Sequence, residues 1–495
     1  MKPNIFFVFL ALISPFSAHA KSLDQTIDEW VSPFSQSLSD IVFFKITLFG
    51  QAIPVIVIWL AIAAIFFTFY LGFMNIRAFP HALRLVRGDY DDPNHTGEIS
   101  HFQAVATAVS GTVGIGNIGG VAVAIGIGGP GAAFWLIVAG FLSMSTKLVE
   151  CTLGVKYRRI NADGSVSGGP MYYLEQCLVK RNKPKLGKAL GVFYAVALVV
   201  GCMGIGNMFQ SNQAYMQVVG ISGGEDSFFS DKAWLFGFLL ALVIAVVILG
   251  GIKSIAKVVG KVVPFMAVLY VVSALVIIAM SAEHIPNAIK LIVTNAFTSD
   301  GVTGGAIGAL IVGFQRALFS NEAGIGSAAI AHSAVQTDKP ASEGIVSLLE
   351  PFIDTVVICT LTSLVIITTA IPNGLMDSGL EGISLTSASF AHHVSWAPYP
   401  LALAALLFAF STSISWSYYG LKGWTFLFGE KQLTQLIFKF IFCMFIILGC
   451  MTNLTSVLNF SDAIVFLISI PNIIGLYLFA PEVKREVNEY LAKFK

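Results

Sequence analysis

Charge is scarce in this chain. Asp, Glu, Lys and Arg make up 12% of its 495 residues and 56% are hydrophobic, with mean hydropathy +0.80. Soluble domains carry roughly 25% charged residues, so a soluble globular protein is excluded and a polytopic membrane protein is expected. The net charge of +1 says nothing about nucleic acid, and no basic tract with interleaved aromatics occurs. The six cysteines (Cys151, Cys177, Cys202, Cys359, Cys443, Cys450) have no metal-ligand spacing and lie mostly in apolar runs, where free cysteine acts as a small hydrophobe. HExxH is missing, and no GxSxG sits in a strand-to-helix nucleophile elbow (Gly220-Ile-Ser-Gly-Gly224 follows an apolar span), which argues against a membrane enzyme.

What the chain does have is long apolar runs and 46 glycines. Residues 1–20 read as a cleavable signal peptide: Lys2 is the positive start, Ile5 to Phe16 the apolar core, and Ala18-His19-Ala20 the cleavage site. A short uncleaved anchor is the alternative, and either places residue 21 outside the cytoplasm. Across 21–53, Asp24, Asp28, Glu29 and Asp40 alternate with Ile27, Trp30, Phe34, Leu38 and Ile41 at spacings of three and four. That pattern predicts an amphipathic helix on the outer bilayer surface.

An extra transmembrane helix is expected at 54–76. Five spans follow within 101–281, near 101–127, 132–152, 190–218, 233–251 and 262–281. Five more lie within 304–480, near 304–331, 343–370, 396–428, 432–450 and 456–480, before a tail at 481–495. This all-α arrangement has about eleven spans after the signal peptide, each long enough for the ~30 Å apolar core of a bilayer. The segments it places inside carry twenty-two Lys and Arg, and the mature outer segments only Lys21, Lys45, Lys232 and Lys290. By the positive-inside rule the tail is cytoplasmic and the mature N-terminus periplasmic or extracellular, in a multi-pass protein of the cell (inner) membrane. Because five is odd, the second group enters the membrane opposite to the first, as an inverted repeat requires. Gly114-Ile-Gly-Asn117 is echoed by Gly324-Ile-Gly-Ser327 at the corresponding place.

Within the first repeat, Ser110 to Val121 holds five glycines in twelve residues. Each costs a helix interior about 1 kcal/mol relative to alanine, so the helix is expected to break there. Broken backbone at membrane depth persists only around a protein-lined polar site. Gly114-x-Gly116-x-x-Gly119 matches a dinucleotide fingerprint literally, but its flanks are helical and residues 130–146 hold no acid, so no nucleotide is expected. Gly119 and Gly120 fit close helix packing; Thr112 and Asn117 do not. A second break is expected in Gly313–Ser327, where Arg316 and Glu322 are intramembrane charges costing ~2.5–3.5 kcal/mol each and so either functional or braces of the fold.

Three further polar runs lie in spans. Asn207–Gln213 ends the span from 190, Ser411–Tyr419 interrupts another, and Glu350-Pro351 with Asp354 marks a third. Hydroxyls and carbonyls are hard oxygen ligands suited to a hard cation, although Ser and Thr in spans also serve as contacts between helices. Asp462 reads as a packing or helix-end charge, and His392-His393 as solvated.

Six ordered motifs carry a family resemblance: Gly111–Ala122, Gly128-Gly-Pro-Gly-Ala-Ala-Phe-Trp135, Lys147-Leu-Val-Glu150, Gly168-Gly-Pro-Met171, Phe319-Ser-Asn-Glu-Ala-Gly-Ile-Gly326 and Trp416-Ser-Tyr-Tyr-Gly420. Through them the chain resembles the alanine/glycine:cation symporter family. The resemblance implies the LeuT-type five-plus-five inverted-repeat fold and sodium-coupled uptake of alanine or glycine. It also implies site residues. The N–H groups of Ile115 and Gly116 would hold the substrate carboxylate, with Thr112 and Asn117 beside them. The carbonyls of Phe319 and Ser320 would accept its ammonium, and Phe319 would cover the site. Gln210, Asn321, Glu322 and Trp416 would complete the pocket. One sodium would be held by carbonyls of Ser110, Val113 and Ala409 and hydroxyls of Thr412 and Ser413.

Glu322 departs from the neurotransmitter-type members of the wider fold family, which carry a small hydroxyl there. Gln210 stands where those have an aromatic hydroxyl, so a second sodium is not claimed. Expected partners are the amino acid, Na⁺ as coupling ion and the lipid bilayer, with no cofactor, no nucleic acid and no required oligomer. The nearest rival is a proton-coupled carrier using Glu322 or Asp354. A more distant one is an ion channel, against which the internal inversion argues because a channel wants a symmetric pore.

Overall fold

The computed structural model describes residues 23–48, 51–92, 95–161, 164–298 and 305–494. The signal peptide expected at 1–20 lies outside them. Helix α1 (Leu23–Val42) is followed by a hairpin, β1 (Lys45–Leu48) and β2 (Gln51–Pro54), which the helical spacing did not predict. Phe34 meets Phe460 at 6.3 Å, Phe43 meets Phe466 at 5.2 Å, and Asn459 donates to Gln36 at 3.1 Å. The amphipathic segment therefore packs along the last long helix of the protein.

Helix α2 (Val55–Tyr70) is shorter than the 54–76 expected, because Gly72 (φ 70°) and Phe73 (φ 57°) turn left-handed and end it. A short α3 (Phe79–Val86) leads to the broken pair α4 (His101–Thr112) and α5 (Gly119–Gly128). Then come α6 (Gly131–Lys156), a two-residue hairpin β3–β4 (Arg159–Ile160, Val166–Ser167), α7 (Pro170–Lys180) and α8 (Pro184–Ile221). Next are α9 (Ala233–Ile248), α10 (Gly251–Met280) and α11 (Ile285–Asn295). The second half holds α12 (Gly305–Asn321), α13 (Ser327–His332), α14 (Pro340–Thr369) and α15 (Ile383–His393). It closes with α16 (Pro398–Phe428), α17 (Gln432–Met451) and α18 (Leu454–Leu491). Among the described residues seven helices (α6, α8, α10, α14, α16, α17 and α18) are long and apolar enough to cross a membrane, and α4 with α5 makes an eighth, bent by 59°.

Two expectations are corrected. Asn207–Gln213 does not end a helix: α8 continues to Ile221 through one wide turn at Gly204–Met208, which keeps the polar run buried mid-span. Nor does Ser411–Tyr419 interrupt α16. Ser411 and Ser417 return their hydroxyls to the carbonyls of Phe408 (3.2 Å) and Ile414 (2.6 Å), so the helix carries its polar groups without breaking.

Helices α9, α10 and α17 turn Val243, Val246, Val268 and Phe440 outward, as lipid-facing helices do. The broken pairs α4/α5 and α12/α13 lie among α6, α8, α14 and α16. A Cβ on Gly206 would sit 2.1 Å from Trp416, so α8 and α16 approach there only through glycine.

A buried polar centre between two broken helices

Helix α4 begins in a capping box in which Ser100 and Gln103 each satisfy the other's backbone N–H. It stops at Thr112. Gly114 is extended, Ile115–Asn117 form one tight turn, and α5 restarts at Gly119. Side chains take up the backbone groups that the break frees. Asn117 Oδ1 accepts from the N–H of Gly114 at 2.9 Å, and Gln210 Oε1 from that of Ile115 at 3.0 Å. A Cβ on Gly114 would lie 2.7 Å from Thr412 Oγ1, which explains glycine at this point of the run.

The second break runs from Glu322 to Gly326, with Glu322 (φ 56°), Gly324 (φ 91°) and Gly326 (φ 87°) in the left-handed region. For a non-glycine residue that conformation costs roughly 1–2 kcal/mol. The Glu322 carboxylate offsets it by accepting from Trp416 Nε1 at 2.9 Å and from the hydroxyl of Ser327. Behind the break, Glu150 accepts the N–H of Gly324 (2.8 Å), Asn472 donates to the Gly324 carbonyl (2.8 Å), and Tyr194 donates to that of Ile325 (3.0 Å). These unwound backbone groups are thus satisfied by protein, as their depth demands.

Asp354 joins the two breaks. Its carboxylate accepts from Asn117 Nδ2 (2.7 Å), Ser320 Oγ (2.8 Å) and Thr355 Oγ1 (2.7 Å), and it is fully buried. Neither Asp354 nor Glu322 meets a cationic side chain within ion-pair distance among the described residues.

The residues singled out from the sequence divide by what they touch. Gly116 lies against Phe319, whose ring also meets Phe209 edge-on at 5.5 Å. Trp416 reaches both Glu322 and the carbonyl of Gly111 (3.3 Å). Thr412 Oγ1 donates to the carbonyl of Ser110 at 2.9 Å. Val113 caps α4 with extended geometry (ψ 90°), while Ala409 lies buried one turn before Ser413. The Ser413 hydroxyl is buried with no hydrogen-bond partner among the described residues. Others turn aside. Thr112 folds its hydroxyl back to the carbonyls of Ala108 and Val109 (3.3 Å each), and Ser110 directs its own to Thr107 and Ser415. Asn321 donates to Thr355 (3.0 Å) and accepts from the N–H of Ala323 (3.0 Å).

Asp354 entered the sequence reading as part of a polar run and as a rival proton carrier, Glu150 only as part of a motif, and Asn472 not at all. The signal for Asn472 was an amide beside Pro471 in an otherwise apolar span.

At one end of the bundle a cavity of about 1030 Å³ opens between α1, α5, α12, α15 and α18. Arg316 and Asp462 line it and form an ion pair, which gives Asp462 a partner that its reading as a packing or helix-end charge did not anticipate. The Arg316 guanidinium lies 5.3 Å from the ring centre of Phe319, which is buried. His393 is likewise engaged, with Ser281 at 2.6 Å.

Two broken helices that meet at a buried polar centre beneath an open cavity define a membrane transporter with a LeuT-like fold. The solved structure of MhsT in complex with L-phenylalanine matches at a TM-score of 0.59 and 15% identity, over 80% of this chain and 93% of that one, a likeness of fold. The chain belongs to the sodium:alanine symporter family, whose sequence pattern matches residues 37–495. The sodium/alanine symporter AgcS of Methanococcus maripaludis is 41% identical over 440 residues, 88% of this chain and 94% of that protein. A Bacillus subtilis protein described as "Probable sodium/glutamine symporter GlnT" is 34% identical over 433 residues, 87% of this chain and 86% of its own length.

Proposed function

We propose that this protein imports a small neutral amino acid, alanine or glycine, together with Na⁺ by alternating access. Family membership supports the class. The observation that carries the ion reading is the contact of Thr412 with the Ser110 carbonyl, beside the unpartnered hydroxyl of Ser413. In this reading the carbonyls of Val113 and Ala409 complete a set of hard oxygens between α4 and α16, which suits an alkali cation better than a soft metal.

In this reading Gly116 N–H and Ile115 N–H, the latter now bonded to Gln210, receive the substrate carboxylate at the N-terminal side of α5. The carbonyls of Phe319 and Ser320 receive its ammonium. Phe319, Phe209 and Trp416 crowd the remaining space, which favours a methyl or hydrogen side chain. The cavity lined by Arg316 and Asp462 is the outer vestibule. The bundle spans the membrane about eleven times, as one extra helix and two inverted groups of five, with the C-terminal tail in the cytoplasm.

A proton-coupled cycle is the second reading, because Glu322 and Asp354 are buried and, among the described residues, accept only from neutral donors. Purified protein in liposomes separates the two. Uptake of labelled alanine should follow an inward sodium gradient and stop when choline replaces sodium at fixed pH. Uptake unaffected by that replacement, or driven by a pH gradient alone, overturns the sodium reading.

A further inference from the structure

Away from the transport site, five buried titratable side chains form one continuous chain. His101, the first residue of α4, bonds through Nδ1 to Glu343 on α14. The other oxygen of Glu343 meets Nδ1 of His332, the last residue of α13, at 2.5 Å. His332 Nε2 bonds to Glu350, whose second oxygen lies 3.4 Å from the ammonium of Lys147 on α6. All but His101 have no exposed surface, and His101 is 3% exposed. The chain links the starting end of one broken helix to the finishing end of the other. Beside it, Gln336 N–H donates to the carbonyl of Ile99 at 2.8 Å, and Arg158 donates to the carbonyls of Ser333, Val335 and Thr337.

A neutral imidazole has one N–H and one lone pair. His332 presents a ring nitrogen to a carboxylate on each side. If it were neutral, with both carboxylates ionised, one lone pair would face a negative oxygen where neither residue has any exposed surface. The unit therefore holds one proton more than that, as an imidazolium or as a carboxylic acid. Cys151 is close enough to His332 and Glu350 for a sulfur, a nitrogen and an oxygen to lie within 4.8 Å of one another. The Lys147 ammonium already supplies positive charge to Glu350, so the arrangement fits a proton and not a metal ion.

We propose that His332, between Glu343 and Glu350, is a proton-binding site that is filled while the cytoplasmic half is closed and gives its proton to cytoplasmic water when that half opens. This rests on the alternating-access reading. A path from the centre to the side opposite the vestibule must part α4 from α13 and α14, and the His101–Glu343–His332 links cross that line. Once wetted, an N–H bond of the imidazolium breaks, water takes the proton, and neutral imidazole remains. Acid on the cytoplasmic side therefore holds the closed form, and alkali releases it. Around His332 the charged or titratable groups are His101 on α4, Lys147, Glu150 and Cys151 on α6, Glu343 and Glu350 on α14, and Tyr419 on α16 near Glu350. Farther out, Asp91 acts on His101, and Arg158 and Tyr490 lie near Glu343.

The test varies only the internal pH of oriented proteoliposomes, from about 6 to about 8.5, where histidine protons exchange. Initial sodium-driven alanine uptake should rise with internal pH by up to about tenfold per unit, the limit for one proton released in the limiting step. His332→Gln keeps a donor and an acceptor but cannot titrate, so its profile should be flat. Melting of the detergent-solubilised protein over the same range provides a readout that needs no transport. A proton bound more tightly in the folded than in the unfolded chain stabilises at low pH and is lost as pH rises, so wild type should lose melting temperature towards alkaline pH and His332→Gln should not. Should that variant not fold, Glu343→Gln, which leaves His332 one carboxylate, should flatten both profiles. Equal pH slopes in wild type and variant, or a flat wild type in both measurements, overturn the proposal. A His332-dependent melting profile without any sodium-driven uptake would overturn the transport reading and leave the proton site standing.

Discussion

The hydroxyl of Thr412 donates to the carbonyl oxygen of Ser110 at 2.9 Å, although 302 positions separate them in the chain. That carbonyl is available because Gly114, four residues on and its usual helical partner, gives its N–H to Asn117 instead. A glycine-rich break and a polar stripe on a distant helix thus make one cluster of oxygens. Thr412→Ala should raise the sodium concentration for half-maximal uptake by roughly tenfold, the weight of one hydrogen bond or ligand to a charged group (~1.5 kcal/mol). Thr412→Ser should stay near wild type. Sodium titration of alanine uptake checks both, and an unchanged Thr412→Ala curve removes this hydroxyl from the ion site.

Glu322 pairs backbone strain with a side chain that repays it. Glu322→Ala keeps the left-handed backbone and loses both carboxylate contacts, whereas Glu322→Gly loses only the contacts. Alanine should therefore melt lower than glycine, by about 1 kcal/mol of stability, while both lose uptake. A thermal-shift comparison of the two purified variants decides it, and equal melting temperatures would show that the strain is not stored there.

Arg316 and Asp462 pair where each is nearly buried. Removing one leaves the other uncompensated, at a cost of about 3–5 kcal/mol. Arg316→Met alone should lower the yield and melting temperature of folded protein sharply, and adding Asp462→Leu should restore most of the loss. A double-mutant cycle measures the coupling, and additive effects would mean that the pair is not formed.

Gly206→Ala would place a methyl 2.1 Å from the side chain of Trp416. Overpacking of this kind costs about 1–3 kcal/mol, and here it also displaces the donor to Glu322. Lower melting temperature together with weaker alanine uptake is expected. Normal melting and uptake would show that α8 and α16 can part at no cost.

The membrane class, the helical character and both breaks were legible in the sequence because each has a local cause: apolar runs, glycine density and charges where none should be. Some errors were local too. The polar run at Asn207 looked like the end of a span and that at Ser411 like an interruption, but hydroxyls that return to their own helix and one wide turn let helices carry polar groups unbroken.

By itself the sequence determined that this is a helical membrane protein, where its helices weaken and which family it joins, since composition and motif spacing suffice for all three. Only the tertiary structure decided partners. Asn117 meets Asp354 across 237 positions, and His332 has a carboxylate on each ring nitrogen. The reason is physical: a buried polar group must find its complement somewhere in the interior, and no local pattern records which segment folding brings to it.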